Sequence, residues 1–238
     1  MADLLGDTYK RLYENYYDAG ITDHRGLVAR DTLSHILAVI GEDRFGTALD
    51  VGAGEGSLLA ALNSAHIAEK LHALEISESG LRAIAALHLP NLLRCESFDG
   101  YQLPYADQSI DLVLSVHVME HVEHERLALA EMHRVGKRLL IEVPIEHTIR
   151  VARSIAVGTK YGHINFYSPP VFATRLESCG FMIIRSKVMS QSLAYEQLCS
   201  GRALGALKYL GRRGLLSAMP KIAPFLLTYA YIAYCESV

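Results

Sequence analysis

A glycine-rich segment that begins with an acid is the part of the sequence best suited to hold a ligand. Residues 50–56 read DVGAGEG, and the first two of them end a short apolar run, residues 47–51. Glycines let the backbone turn tightly and approach a ligand with no Cβ atom in the way. A dinucleotide fingerprint would place its third glycine at position 57, which is Ser57 here. The Asp50 carboxylate would repel a pyrophosphate and favours a cationic ligand, whereas its alternative role is a helix cap.

The elements around this segment alternate between strands and helices. Short apolar runs predict strands at 47–51, 70–75, 91–95, 110–116 and 138–143, the last stopped by Pro144. Periodic segments predict helices at 27–40, 57–65, 79–87 (with a serine at its start) and 125–135. This alternation indicates βαβ units and a parallel sheet, whose strands end at one edge where ligands bind.

The rhythm changes after Pro144. A helix is predicted from Ser168 to Gly180, then a sixth strand at 181–188 and a Tyr-rich strand at 227–235. We interpret the latter as an antiparallel core strand and not as a membrane anchor, because it is too short to cross a bilayer as a helix. The predicted fold class is α/β: a Rossmann-like, seven-stranded, mostly parallel sheet with helices on both faces and an antiparallel last strand.

Length and composition limit the organisation. The 238 residues predict a single domain with four parts. These parts are a helical cap at 1–44, a cofactor-binding core at 45–188, a helical insertion or lid at 189–226 and a final strand at 227–238. The net charge of -3 gives no basic field that would attract nucleic acid. Four cysteines without a CxxC pair suggest a reducing compartment, and no signal peptide is recognisable, so the predicted location is cytoplasmic.

Further motifs follow the glycine-rich segment in a fixed order. They are Glu75 in LEIS, Asp99-Gly100 four residues before Leu103-Pro104, DQSIDLV at 107–113 and VMEHV at 118–122. Together with DVGAGEG, this set resembles the class I S-adenosylmethionine (SAM)-dependent methyltransferases, particularly the small-molecule enzymes called type 11. Ile110 stands where that group more often has Phe. Any single motif is weak, but five in order over residues 45–185 form a specific pattern.

The resemblance implies SAM as the cofactor, S-adenosylhomocysteine as the product, and methyl transfer to a small-molecule, partly hydrophobic or lipid-like acceptor. In that family the acid at the Glu75 position takes both ribose hydroxyls, and the acid at the Asp99 position lies at the adenine amine. The cofactor residues implied in this way are Asp50, Gly52, Gly54, Gly56, Glu75, Ile76, Asp99, Gly100 and Ser115. A surface acid is the alternative for Glu75, and an ordinary loop residue the alternative for Asp99.

Three histidines are candidates for acid–base catalysis. His117 and His121 follow the fourth strand, and His163 lies in a YGHINFY stretch that resembles a "GH…FS" segment over the acceptor pocket of related enzymes. Each has a structural role as its alternative. Residues 117–121 also spell H-x-x-E-H, an inverted zinc-protease motif. That chemistry needs a third ligand further along a helix, and His124 lies too close, so the sequence predicts no metal site.

The acceptor itself cannot be read from these motifs. Tyr13, Tyr16 and Tyr17 and the insertion at 191–226 are where a substrate pocket would form, with simple packing as an equal alternative. Basic residues alternate with apolar ones in the insertion, which suits either peripheral membrane contact or a solvated helix face. Two other functions fit parts of the pattern: a non-catalytic SAM-binding protein, and a nucleotide-cofactor oxidoreductase. The number of subunits is left open.

Overall fold

A seven-stranded sheet forms the centre of the computed structural model, which describes residue 17 and residues 22–238. The strands are β1 (Phe45–Val51), β2 (Ala68–Glu75), β3 (Leu92–Ser97), β4 (Leu112–Val116), β5 (Arg138–Ile145), β6 (Phe181–Met189) and β7 (Tyr229–Ser237). Their order is β3-β2-β1-β4-β5-β7-β6. Strands β1 to β5 are parallel, and β7 runs antiparallel to both β5 and β6. The predicted fold class is confirmed.

Helices connect the strands. The described ones are α1 (Asp23–Ile40), α2 (Ser57–Ser64), α3 (Glu78–Ala86), α4 (Glu125–Val135), α5 (Val151–Gly158), α6 (Pro169–Glu177), α7 (Leu193–Ser200), α8 (Arg202–Ala218) and α9 (Ala223–Leu226). Helix α5 was not predicted from the sequence. The serine that caps α3 is Ser77, whose hydroxyl accepts from the Gly80 amide, and not Ser79 as predicted. Tyr13 and Tyr16 of the predicted N-terminal helix lie outside the described residues.

The sheet separates two apolar cores. Side chains alternate along β5, so that Leu139 and Ile141 join one core and Leu140 joins the other. The first core also contains side chains of α4 and α6, and the second contains side chains of α1 and α2. A parallel sheet covered on both faces in this way explains why its strands are continuous apolar runs in the sequence.

The prediction that Pro144 stops β5 is wrong. The strand continues to Ile145, with Pro144 opposite Ala230 of β7. On its other side, β5 pairs with β4 only as far as Glu142 opposite Val116. Beyond that point β5 has no β4 neighbour, so the missing N–H of the proline removes no ladder hydrogen bond there.

Strand β7 lies inside the sheet, between β5 and β6, as the sequence predicted for this segment. Its residues from Tyr229 to Cys235 are all buried. In the part of the chain that the structure describes, no helix is long and apolar enough to cross a membrane.

Candidate active site

The glycine-rich loop lies where β1 ends, at the edge of the sheet where ligands bind in this architecture. Gly52, Gly54 and Gly56 all have positive φ, at 78°, 58° and 85°. The amide of Gly52 donates to the carbonyl of Leu74 at 2.8 Å, which turns the loop towards the end of β2. A Cβ atom on Gly52 would lie 2.6 Å from Val118 Cγ2. Glycine is therefore required here by both backbone conformation and space.

Glu75, at the end of β2, holds this loop in place. Its carboxylate accepts from the Gly54 amide at 2.8 Å and from the Ser77 amide at 3.0 Å. The residue is only 3% exposed. Burial raises the pKa of Glu75, although the backbone hydrogen bonds act in the opposite direction. The alternative of an ordinary surface acid does not fit this position.

Two buried polar atoms near the loop have no hydrogen-bond partner among the described residues. One is Oδ2 of Asp50, in β1, and the other is Oγ of Ser115, in β4. Burial, followed by repulsion from Glu75 and Glu55, raises the pKa of Asp50 to about 7. Asp50 does not cap α2, whose N-cap residue is Gly56. Buried polar groups are normally satisfied, so these two atoms mark a place for a polar ligand.

The remaining predicted cofactor residues surround the same edge. Asp99 follows β3 and is exposed, and its Oδ1 accepts from the amides of Tyr101 and Gln102 at 2.9 and 2.7 Å. Gly100 has a φ of 89°, which the turn requires. Ile76 follows Glu75 directly and is half-buried. Their contact with a cofactor stays a prediction.

Tyr17 lies against the glycine-rich loop. A Cβ atom on Gly54 would be 3.2 Å from the Tyr17 hydroxyl, and the Tyr17 amide donates to Ser79 Oγ at 3.3 Å. The guanidinium of Arg25, in α1, lies 5.0 Å from the centre of the Tyr17 ring and 3.7 Å from Glu55. Arg25 could not be predicted from the sequence, because its contacts join segments that share no motif.

His117 follows β4 with a φ of 54° and is ion-paired to two buried acids. Its Nδ1 is 3.4 Å from Glu120 Oε1, and its Nε2 is 3.3 Å from Glu142 Oε1. Burial would lower the pKa of His117, but its hydrogen bonds to both carboxylates raise it to about 10. The H-x-x-E-H segment thus leaves a strand and enters a 3-10 turn, Met119–His121, and does not lie on a helix. The zinc-protease arrangement is not formed.

Glu142, in β5, is a buried acid that sequence reasoning missed. It is 1% exposed and accepts from His35 Nδ1 at 2.9 Å and from Thr32 Oγ1 at 3.3 Å, both in α1. Burial would raise the pKa of Glu142, but the hydrogen bonds to His117 and His35 lower it to about 2. The Glu142 carboxylate therefore links α1 to His117 at the end of β4. The one sequence feature that points to Glu142 is its place as a single acid within the apolar run RLLIEV.

His121 and His163 come together on the other side of Glu120. Their ring centres are 4.8 Å apart in an edge-to-face arrangement. His163 Nδ1 donates to Glu146 Oε2 at 2.7 Å, and burial lowers the pKa of His121. All three predicted catalytic histidines therefore surround Glu120, although their role in catalysis stays a prediction.

The glycine-rich segment lies within a recognised sequence family. Residues 49–139 match the family model described as a methyltransferase domain, type 11. The chain is 31% identical over 187 residues to the malonyl-[acyl-carrier protein] O-methyltransferase of Methylococcus capsulatus. That match covers 73% of this chain and 64% of the relative, so the chain spans less than two thirds of that protein.

Solved structures share the fold at low sequence identity. A chain of the complex that contains the Haloferax volcanii Trm112 methyltransferase activator gives a TM-score of 0.67 at 16% identity, covering 94% of this chain and 97% of that one. Geranyl diphosphate C-methyltransferase from Streptomyces coelicolor A3(2) gives a TM-score of 0.63 at 12% identity, covering 87% of this chain and 78% of that one.

The strand order, the glycine-rich loop and the acid at the end of β2 together define a class I SAM-dependent methyltransferase domain. Residues 49–139 carry the similarity to the type 11 methyltransferase domain family. SAM is the cofactor that this family uses.

Proposed function

We propose that this protein transfers a methyl group from SAM to a small-molecule acceptor and releases S-adenosylhomocysteine. The observation that carries the proposal is the unpartnered, buried Oδ2 of Asp50 beside the glycine-rich loop. A cationic ligand there would favour the ionised carboxylate, whereas burial alone disfavours it. The α-amino group and the sulfonium of SAM supply such charge, whereas a pyrophosphate would be repelled.

The surrounding residues fit the rest of the cofactor. The Gly54 and Ser77 amides hold the Glu75 carboxylate at the end of β2, where it can accept hydrogen bonds from ribose hydroxyls. The three positive-φ glycines let the backbone approach the ligand closely. Ile76, Asp99 and Gly100 follow β2 and β3, on the side proposed for the adenine, and Ser115 offers a free hydroxyl from β4.

The protein contributes position and a dry site, while the bound sulfonium supplies a methyl group ready for displacement. Holding donor and acceptor in line provides on the order of 7–11 kcal/mol of the barrier reduction. Hydrogen bonds from the loop amides to Glu75 and to the Leu74 carbonyl define the loop conformation without a ligand. Tyr17 covers Gly54 and would keep water from that side of the cofactor.

A small, partly hydrophobic acceptor is the second part of the proposal. The curated relative is named for malonyl-[acyl-carrier protein], and a fold neighbour for geranyl diphosphate. In the insertion, Leu204, Leu207 and Leu210 of α8 are more than half exposed, which suits an apolar partner or substrate. The basic residue Arg212 faces inward instead, 3.1 Å from Glu196.

Calorimetric titration tests the cofactor assignment. SAM and S-adenosylhomocysteine are expected to bind with low-micromolar to sub-millimolar affinity, and NAD is expected not to bind. Asp50→Asn should weaken SAM binding, whereas Glu78→Gln, at a solvent-exposed carboxylate in α3, should not. Binding of NAD in place of SAM would overturn the proposal. Transfer of labelled methyl from SAM to candidate acceptors then separates an enzyme from a non-catalytic SAM-binding protein.

A further inference from the structure

We propose that Glu120, His121 and His163 bind a divalent transition-metal ion beside the cofactor site. Their nitrogen and oxygen atoms all lie within 4.8 Å of one another. Two imidazoles and one carboxylate form a ligand set found in mononuclear zinc and non-haem iron sites. The sequence predicts no metal site, because the H-x-x-E-H segment has no third ligand at the usual spacing. His121 and His163 meet only through the fold.

One oxygen of the cluster lacks a partner. Glu120 is 1% exposed, and its Oε2 has no hydrogen bond within the described part of the chain. Its other oxygen, Oε1, lies 3.4 Å from His117 Nδ1. A buried carboxylate oxygen without a donor or cation is unfavourable. A bound cation would satisfy it directly.

The two histidines are each oriented by a second group, as metal-binding histidines usually are. His163 donates from Nδ1 to Glu146 at 2.7 Å, which leaves Nε2 as the nitrogen for a metal. His121 is hydrogen-bonded to the backbone of Gly162. Such partners fix the ring and its tautomer, and so define the direction in which the other nitrogen points.

The two segments that carry the ligands are fastened together by backbone hydrogen bonds. The amides of Ile164 and Asn165 both donate to the Glu120 carbonyl, at 2.8 and 3.1 Å. The Asn165 side-chain amide donates to the carbonyls of Met119 and Val122, at 3.0 and 2.7 Å. The backbone on either side of the ligands is therefore held before a metal binds, as a preorganised site requires.

Metal binding has to draw the ligand atoms closer. Ligands about 2.0–2.2 Å from a metal in a tetrahedral site are roughly 3.5 Å apart, so a separation of 4.8 Å must shorten by about 1.3 Å. Small rotations of the half-buried imidazoles of His121 and His163, within their hydrogen bonds to Glu146 and Gly162, would supply this. Three protein ligands leave at least one position open for an exogenous group.

The location gives the metal a role, and this part rests on the proposed function. Val118, one residue after His117, packs against Gly52 of the cofactor loop, so the metal would lie next to the methyl donor. A hydroxyl or carboxyl oxygen of the acceptor would occupy the open position, where a metal lowers the pKa of a hydroxyl. That oxygen forms the new bond to the methyl carbon. The carbon–sulfur bond breaks with its electron pair returning to sulfur, and the hydroxyl proton passes to solvent.

The test is a direct metal titration without SAM. The full chain, freed of metal with a chelator, is titrated with Co²⁺ while the visible absorption is followed, and with Zn²⁺ by calorimetry. One site per chain with micromolar or tighter affinity is expected. Glu120→Gln and His163→Gln should each weaken binding at least about 100-fold, and Glu146→Gln, which loses only the orienting charge, about 10–100-fold. His124→Gln is the matched control, because His124 completes an H-x-x-H spacing in sequence but lies outside the cluster.

Several outcomes would overturn the site. They are absence of a cobalt absorption band in the wild-type protein, affinity weaker than millimolar, or unchanged affinity in His163→Gln. The SAM affinity of His163→Gln should stay within about twofold of wild type, which would show that this variant is folded. His163→Gln therefore still tests the metal site if Glu120→Gln does not fold. Metal binding without any SAM binding would refute the proposed function and leave the metal site standing, so the two failures are distinguishable.

Discussion

Glu75 and Gly54 are joined by a hydrogen bond of 2.8 Å between the carboxylate Oε2 and the backbone amide, across the gap between β2 and the loop after β1. The acid proposed to bind the ribose is thus also the group that shapes the loop. Its two tasks are compatible because a carboxylate oxygen accepts more than one hydrogen bond. They also mean that the loop and the cofactor depend on the same side chain.

Glu75→Ala should weaken SAM binding by roughly 1.5–3 kcal/mol, because a charge-assisted pair of hydrogen bonds to the ribose is lost. Calorimetric titration of the variant and the wild type measures the difference. Glu78→Gln, three residues further along and exposed, is the matched control and should bind as the wild type does. Equal SAM affinity in Glu75→Ala would show that the ribose assignment is wrong.

Asp50 predicts a pH dependence of stability in the absence of cofactor. Its pKa rises from 3.8 to about 7 on folding. Between these values the unfolded chain has lost the proton while the folded protein keeps it, so the free energy of unfolding falls as pH rises from about 4 to 7. Above pH 7 the penalty is constant, at most roughly 4 kcal/mol.

Asp50→Asn removes this titration while keeping the shape of the side chain. Urea unfolding at several pH values should show the variant gaining on the wild type from pH 4 to 7 and keeping a constant advantage above that. The wild type serves as its own reference for all other titrating groups, because only the difference between the two profiles is interpreted. Parallel profiles would mean that Asp50 is not held protonated in the folded state.

Tyr17 predicts a difference between removing a ring and removing a hydroxyl. Tyr17→Ala exposes Gly54 and ends the contact with Arg25, so SAM should dissociate faster and bind roughly tenfold more weakly. Tyr17→Phe keeps the ring and should bind within about twofold of wild type. Stopped-flow dissociation of SAM compares the two. If both variants release SAM at the wild-type rate, Tyr17 does not cover the cofactor.

Strand β7 predicts a cooperative loss of structure. Deletion of residues 226–238 removes the strand that pairs with β6 in the described part of the chain and leaves one backbone edge of β5 unpaired, so the remaining chain should not fold. Ala233→Asp places a carboxylate at a fully buried position in β7 and should be strongly destabilising, whereas Met182→Asp, on an exposed position of β6, should not. Circular dichroism during urea unfolding reports both. A cooperative transition in the truncated chain would contradict the interpretation of β7 as a core strand.

The sequence revealed the features that depend on local spacing. The alternation of strands and helices predicted the sheet, and the loop 50–56 with Glu75 predicted the edge proposed to bind the cofactor. Each of these patterns lies within a short stretch of sequence. The end of β5 was misjudged at Pro144, since whether a proline disturbs a strand depends on how far its neighbour extends.

Long-range contacts account for what the sequence could not show. Glu142 meets His35 across 107 residues, and His121 meets His163 through a connection that includes the unpredicted helix α5. Burial decides the ionisation of these groups, and burial is a property of the folded chain. The sequence offers the three histidines as separate candidates, and Glu120 only as part of the VMEHV motif; the fold places Glu120 beside all three.

The position of β7 also affects how the chain reaches its folded state. The strand comes after β5 and β6 in sequence but inserts between them. Each of these two strands therefore keeps an unpaired backbone edge until the nine residues of β7 pair with it. Open edges are templates for pairing with other molecules. Refolding should therefore compete with aggregation, with a yield that falls as protein concentration rises. Insertion of β7, which completes the sheet, is thus also the folding step at which the chain is most vulnerable to aggregation.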